Sequence, residues 1–456
     1  MEICDAVDYK GAPANRSTTG GWLSAASILV VELCERLSSM AIGVNLVTYL
    51  DGTLHLPSAT SSTIVTNWGG ISFLLSLFGG ILADSFLGRY RTIAIFANIH
   101  MLGSCLLAIS TVVPNLRPPS CNPSLSDNCK EANALQMTVF YLAIYTLADR
   151  VARVWGYGSC TVVMLTAVVI FLSNTRRYSC LDKAAIIDDD DNIMIESGTP
   201  NPWRLCSVTK VEEVKMMTKL LPIWATTIMY YVIHAQMITF AVLQASTMKR
   251  SIGSFEIPAA SFNAFFIGAI LLALGIYDRL IIPLWKKKKG TLGLTNLQKM
   301  GVGLFISIIA MVVAAIVEIK RLKVAKSTSR VILPISAFLL VPQFVLAGAA
   351  EGFVYTGQID FFLTESPKGM KAVSTSLFLT TIAFGFFVSS ALVDIIRQVT
   401  KGRHNWLPAN INHGRLDLFY GFIALLSSIN LVFYLYCAKW FMRKKTQIDR
   451  SLTNDT

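Results

Sequence analysis

The sequence predicts an all-α membrane protein made of two bundles of spans. Three observations carry that prediction. Of the 456 residues, 53% are hydrophobic and only 15% charged, and the mean hydropathy is +0.54, an apolar balance beyond that of a water-soluble domain. The apolar residues fall in long stretches at 23–50, 60–84, 92–113, 154–173, 218–243, 258–284, 295–318, 331–356, 372–398 and 417–441. Each is close to or above the ~20 residues that cross a bilayer as a helix. The longest polar stretch, 174–214, with its acidic run Asp188 to Asp191, divides these spans into an N-terminal and a C-terminal group.

In chain order, residues 1–22 carry no charged segment leading into a short apolar core and a small-residue cleavage site. The first span is therefore expected to act as its own targeting signal and to leave the N-terminus in the cytosol. Residues 23–173 form the N-terminal bundle. Within it, 114–133 is a polar loop on the non-cytosolic side, and ALQMTVFYLAIYTLA at 134–148 is too short for a full crossing and ends against Asp149, Arg150 and Arg153. If it crossed, every downstream loop would change sides, so we expect it not to. A charged end at membrane depth would have to be buried in protein or wetted. Residues 174–214 are then a cytosolic linker, 215–441 a bundle of six spans, and 442–456 a cytosolic tail.

The topology rests on the tendency of short cytosolic loops to collect Lys and Arg. Arg89 with Arg91, Lys286 to Lys289, Lys368 with Lys371, and Arg443 to Lys445 all lie just beyond span ends and are placed inside. The basic stretch Lys320 to Lys326 falls outside and breaks the rule. The net charge of +12 is spread between spans, which argues against nucleic acid as a partner and for the lipid bilayer. Cys34, Cys105, Cys160 and Cys437 lie inside spans, where a thiol packs as a small apolar group. Cys121 and Cys129 share the non-cytosolic loop, where oxidation is permitted, and are a candidate disulfide. The sequence holds no paired metal-ligand motif and no Gly-rich phosphate loop, so no metal, cofactor or ATP-driven chemistry is expected. Nor does it hold a nucleophile, base and orienting group in one polar segment that would make it an enzyme.

The chemistry lies in charges that sit inside spans. In VELCERLSSM, Glu32, Glu35 and Arg36 are spaced by three and four residues, so they share one helix face. A charge at the bilayer centre costs ~2.5 to 3.5 kcal/mol on insertion scales, so such a cluster must face a polar interior. One guanidinium balances one carboxylate; the second carboxylate is then free to carry a proton. The plainer reading is an ion pair that fixes helix packing, but a second carboxylate adds cost without a pairing benefit. DSFLGRYR at 84–91 closes the second span; Asp84, Gly88 and Arg89 suit both a stop-transfer loop and a gating hinge. Thr92 follows two arginines, a context that suits a kinase. His234, in YYVIHAQM, reads either as a hydrogen-bonded core residue or as a proton-carrying ring that would favour an anion. Glu351, in VLAGAAEGFVYTGQ, is the other intramembrane carboxylate, with Gly348 and Gly352 beside it for close helix approach. No Lys or Arg stands out in the C-terminal spans to pair with it, so it needs water, a polar side chain or a proton.

Glu32-x-x-Glu35-Arg36, the second-span ending ADSFLGRY and YTGQIDFF at 355–362 resemble the plant nitrate and peptide transporter family. Members are proton-coupled oligopeptide transporters of the major facilitator superfamily. MKRSIGSFEIPAASF at 248–262, LQKMGVGLF at 297–305 and ESPKGMKAVST at 365–375 extend the likeness over nearly the whole chain, nearest to the nitrate-carrying branch. The resemblance implies a two-bundle transporter of the plasma membrane working by alternating access, with protons as the coupling ion. Glu32, Glu35 and Arg36 become the proton-coupling triad, His234 the nitrate contact, Thr92 a regulatory phosphorylation position and Glu351 the tenth-helix carboxylate. In the family that carboxylate pairs with a fourth-helix lysine. Here the chain passes from Leu147 through Asp149 and Arg150 to WGYGSC, and that lysine is absent. About one and a half helices are missing from the N-terminal half, which accounts for the topology conflict above, and the central loop is shortened between Tyr178 and Leu181. The expected function is proton-coupled transport of nitrate or a related small anion. The alternatives are a truncated, non-transporting isoform that assembles with related subunits, or a carrier of peptides or other small solutes.

Overall fold

The computed structural model describes residues 2–7, 13–15, 42–82, 89–119, 131–146, 208–289, 293–328, 332–367, 371–402 and 405–454. The chain divides into units 1–46 and 47–456. In the first, strands β1 (Glu2–Val7) and β2 (Pro13–Asn15) form an antiparallel hairpin with Glu2 opposite Asn15.

In the second unit, the N-terminal half contributes helical residues up to 52 and then α1 (Ser58–Leu82), α2 (Arg89–Val112) and α3 (Ala134–Thr146). The start of α3 is closed by reciprocal bonds: Gln136 N donates to Asn133 Oδ1 (2.9 Å) and Asn133 N to Gln136 Oε1 (3.0 Å). This side-chain and backbone exchange satisfies donors that a helix start leaves open. With 13 residues, α3 is about 20 Å long, short of the ~30 Å apolar core of a bilayer. It buries Phe140, Ala143 and Ile144, and Trp68 of α1 donates its indole N–H to Ile144 O (3.1 Å).

The C-terminal half contains α4 (Val208–Ile238), α5 (Phe240–Ser246), α6 (Asn263–Ile276), α7 (Ile282–Lys289), α8 (Asn296–Ser327), α9 (Val341–Glu365), α10 (Lys371–Val399) and α11 (Leu416–Asn454). Six runs among the described residues are long and apolar enough to cross a membrane, and they fall on the six expected downstream spans. The first begins within α4 and ends with α5, the chain leaving helical geometry at Thr239 (φ −117°, ψ −89°). α4 starts at Val208, inside the segment read as linker, and α11 runs on through most of the segment read as tail.

α8 shows how residue choice sets packing. Thr295 accepts from Gln298 N (3.3 Å) while Gln298 Oε1 accepts from Thr295 N (3.0 Å), capping its start. Gly303, Ser307, Ala310, Ala314 and Val317 form one buried stripe, whereas Phe305, Ile309, Val312 and Ile316 are exposed. A helix apolar on both faces, with small residues on the packed one, is built for lipid on its outer side. Gly303 is needed because a Cβ there would meet Val354 and the Ala350 carbonyl of α9. α8 continues to Ser327 and Arg321 is fully buried. Thus Arg321 is not in a solvated outer loop, as the basic stretch 320–326 suggested. Hydropathy closes the span at the first charge, but the three-to-four-residue period of the stripe continues through it.

Candidate functional site

Two helices create the site by periodicity. Tyr230 and His234 are one turn apart on α4, and Ala347 and Glu351 are one turn apart on α9, so each pair shares a face. Tyr230 donates its hydroxyl proton to Glu351 Oε2 (2.6 Å) and lies 3.1 Å from Ala347 O. His234 Nδ1 lies 2.7 Å from the same carboxylate oxygen. A buried carboxylate without partners is costly; here a phenol and an imidazole converge on one oxygen.

Aromatic rings surround the imidazole. Phe266 of α6 and Phe386 of α10 meet it edge-on at centroid distances of 5.2 and 5.8 Å, and Tyr231 tilts against it at 6.5 Å. The side chains of His234 and Glu351 keep 19% and 12% of their exposure, so the pair is largely buried yet not fully sealed. Towards the start of α4, Gln358 donates to Thr227 Oγ1 (3.0 Å) and Thr381 Oγ1 (2.9 Å), and Tyr231 OH reaches Gln358 Oε1 at 3.4 Å. These bonds tie α4, α9 and α10 together beside the site. Close approach is possible because Gly348 and Gly385 are glycines: a Cβ at Gly348 would strike the Phe266 carbonyl, and one at Gly385 the Tyr231 side chain.

Of the residues singled out from sequence, His234 and Glu351 are therefore brought into direct contact. The polar partner that Glu351 needed is supplied by α4. Glu32, Glu35, Arg36, Asp84, Gly88, Cys121 and Cys129 lie outside the described residues. Arg89 and Thr92 fall in the first turn of α2.

Two polar clusters were not foreseen. Glu318 and Arg321 of α8 form an ion pair (2.7 Å) with both side chains fully buried. Arg321 also donates to Thr247 Oγ1 (3.0 Å), Asn412 Oδ1 (2.5 Å) and Ile411 O (3.2 Å), and Gln244 of α5 donates to Glu318 Oε2 (2.5 Å). Gln244 Oε1 in turn accepts from Tyr420 OH (3.1 Å) and Gln343 (3.3 Å). The network joins α5, α8, α9, α11 and the loop before α11. The available signal was Glu318 and Arg321 three residues apart in phase with the small-residue stripe. The second cluster joins the two halves of the sequence: Arg397 of α10 donates to Thr60 Oγ1 (3.0 Å), Thr63 donates to Asp394 (3.4 Å), and Ser58 N donates to Ala409 O (3.1 Å). Nothing in the spacing of these residues announces a partner more than three hundred positions away.

Comparison with known proteins places this geometry in a family. The model of the POT family matches residues 179–407. Protein NRT1/PTR FAMILY 6.2 of Arabidopsis thaliana is 47% identical, with 97% of this chain and 96% of the relative covered. Protein NRT1/PTR FAMILY 6.3 of the same plant is 39% identical, over 98% and 95%. The first of these alignments runs over 553 positions, more than the 456 residues of the chain, so the relative carries internal sequence that this chain lacks. Among solved structures, an auto-inhibited POT family peptide transporter superposes with a TM-score of 0.61 at 16% identity, covering 90% of this chain and 95% of that one. That likeness speaks for the fold alone.

Proposed function

The chain belongs to the POT family, a family of membrane transporters, and from that premise we propose that it moves nitrate or a related small anion in symport with protons. The observation that carries the reading is His234: a titratable ring in the middle of a membrane span, part-exposed, caged by Phe266 and Phe386 and held by Glu351. A protonated imidazole offers an anion both charge and an N–H donor where water is scarce. On the first span, Glu32, Glu35 and Arg36 carry the coupling proton, one carboxylate balanced by the guanidinium and the other free to load and release. Loading of both positions offsets the charge of the incoming anion and biases the rocking of one bundle against the other. The sequence resemblance to the nitrate-carrying branch supports the choice of substrate; the similar fold of a POT family peptide transporter keeps dipeptides as the competing class.

The test is uptake of labelled nitrate and labelled dipeptide by cells expressing the full chain, at acidic and neutral external pH. Acid-stimulated nitrate uptake, abolished by Glu35→Gln, is the expected result. Dipeptide uptake without nitrate uptake would refute the substrate, and acid-stimulated uptake that survives Glu35→Gln would refute the coupling site. The length mismatch with the relative supports a second reading, a non-transporting isoform that assembles with complete relatives. Sequencing the transcript across Leu147 to Val154 decides whether the missing segment is absent from the mature message.

A further inference from the structure

We propose that Glu351 is the positioning residue of this site: it holds His234 through Nδ1, in the tautomer that presents Nε2 to the substrate. This inference rests on the functional reading above for the identity of the substrate, but its geometry stands on the ring itself.

The argument starts from which atoms are taken. Oε2 of Glu351 lies 2.7 Å from Nδ1, and an ionised carboxylate only accepts, so the proton between them belongs to Nδ1. A neutral imidazole carries one N–H. Once Nδ1 has it, Nε2 is a bare acceptor, and no described residue is recorded as its partner. The rings packed on the imidazole, Phe266 and Phe386, offer no hydrogen bond. Nε2 is thus the ring atom free to take up a proton and turn it towards an anion. When it does, the ring becomes a cation in an apolar cage, and the carboxylate at Nδ1 keeps that cation paired. Such a partner on the far nitrogen is how a second residue commonly sets the chemistry of a histidine.

Tyr230 makes the arrangement directional. Its hydroxyl donates to the same Oε2 (2.6 Å), so that oxygen is fixed as an acceptor between two donors and the carboxylate cannot swing away without breaking both bonds. Among the described residues, the titratable groups recorded against the pair are Tyr230 and Tyr231 of α4. α6 and α10 contribute phenylalanines there and no recorded charge. Glu351 is accordingly the group that decides which nitrogen is left for the substrate.

The experiment is nitrogen-15 NMR of histidine-labelled, purified full-length protein at alkaline pH, paired with nitrate uptake. The chain has five histidines, and His234→Asn identifies the relevant signal by its loss. In the unaltered protein His234 should show the Nδ1–H tautomer. Glu351→Gln should keep it, because Tyr230 and Nδ1–H both still need the side-chain oxygen. Glu351→Leu should release it to a mixture and raise the KM for nitrate at least ~10-fold, the cost of one misaligned hydrogen bond to a charged group. Tyr230→Phe, a smaller change that leaves packing intact, should give a partial mixture if Glu351→Leu fails to fold. A proton found on Nε2 in the unaltered protein, or a tautomer unchanged in both Glu351→Leu and Tyr230→Phe, overturns the proposal. If the NMR result holds while no form of the chain carries nitrate, the substrate assignment falls and the positioning role stands.

Discussion

Replacing Arg321 by Met tests whether the buried charges of α8 hold the C-terminal bundle together. The guanidinium is fully buried, pairs with Glu318 at 2.7 Å and donates to Thr247, Asn412 and Ile411. Methionine fills much of the same volume but leaves Glu318 as a buried carboxylate with only Gln244 beside it. Breaking one partner out of a buried pair costs about 3 to 5 kcal/mol. For a bundle of this size that is a fall of roughly 6 to 10 °C in melting temperature, at ~2 °C per kcal/mol. Glu318→Leu should cost a similar amount by stranding Arg321. The double variant Glu318→Leu with Arg321→Met strands neither charge and should lose less than either single change, which requires a coupling energy larger than one single cost, about 3 kcal/mol or more. Thermal unfolding of the four proteins in detergent, followed by a buried-thiol dye, provides the cycle. Additive losses, or single variants that melt with the unaltered protein, would refute the reasoning.

Three further outcomes can be checked with the same material. Gly348→Ala and Gly385→Ala drive a Cβ into the Phe266 carbonyl and into Tyr231 and should each cost about 1 to 3 kcal/mol, whereas Gly421→Ala, inside α11 with nothing within 4 Å, should gain about 0.5 to 1 kcal/mol. Asp51, at the end of the helical run that precedes α1, has its carboxyl raised by burial against the lowering effects of its Ser58 bond and of His55. A raised acid favours the folded state when protonated, so that part of stability is present at low pH and lost as pH rises through the folded value; Asp51→Asn should therefore gain in melting temperature over the unaltered protein between about pH 4 and pH 7, and a gain independent of pH would contradict the cause. Arg397→Ala removes the bond to Thr60, and a cysteine placed at Thr63 should then react faster with a membrane-impermeant thiol reagent; an unchanged rate would show that this contact does not hold the halves together.

The sequence made the six downstream spans legible because each is a long apolar run between polar breaks, and the structure finds helices on all six. His234 and Glu351 were legible as expensive residues in such runs. Their pairing was not, since it depends on two helices more than a hundred residues apart meeting at one level. Arg321 was misread for a physical reason: hydropathy treats any charge as an exit from the membrane, although a charge three residues from its counter-ion can remain inside. The α1 and α10 contacts were illegible for the opposite reason, as Thr60, Thr63, Asp394 and Arg397 are ordinary residues at span ends and acquire meaning only across the interface.

The break at Thr239 turns the span that carries His234 into a lever. α5, beyond the break, is bolted by Gln244 to Glu318 and Tyr420, while α4 is tied through Thr227 to Gln358 of α9, so a tilt of α4 about the break would carry α9 with it. His234 lies five residues from the fulcrum, about 7.5 Å at ~1.5 Å per residue, while the far end of α4 at Val208 lies about 46 Å away. A tilt that moves the imidazole by about 1 Å therefore moves the far end by about 6 Å, the same ratio of arm lengths. The displacement from a tilt of that kind would be small at the ring and largest at the start of α4, where it would be as wide as a side chain.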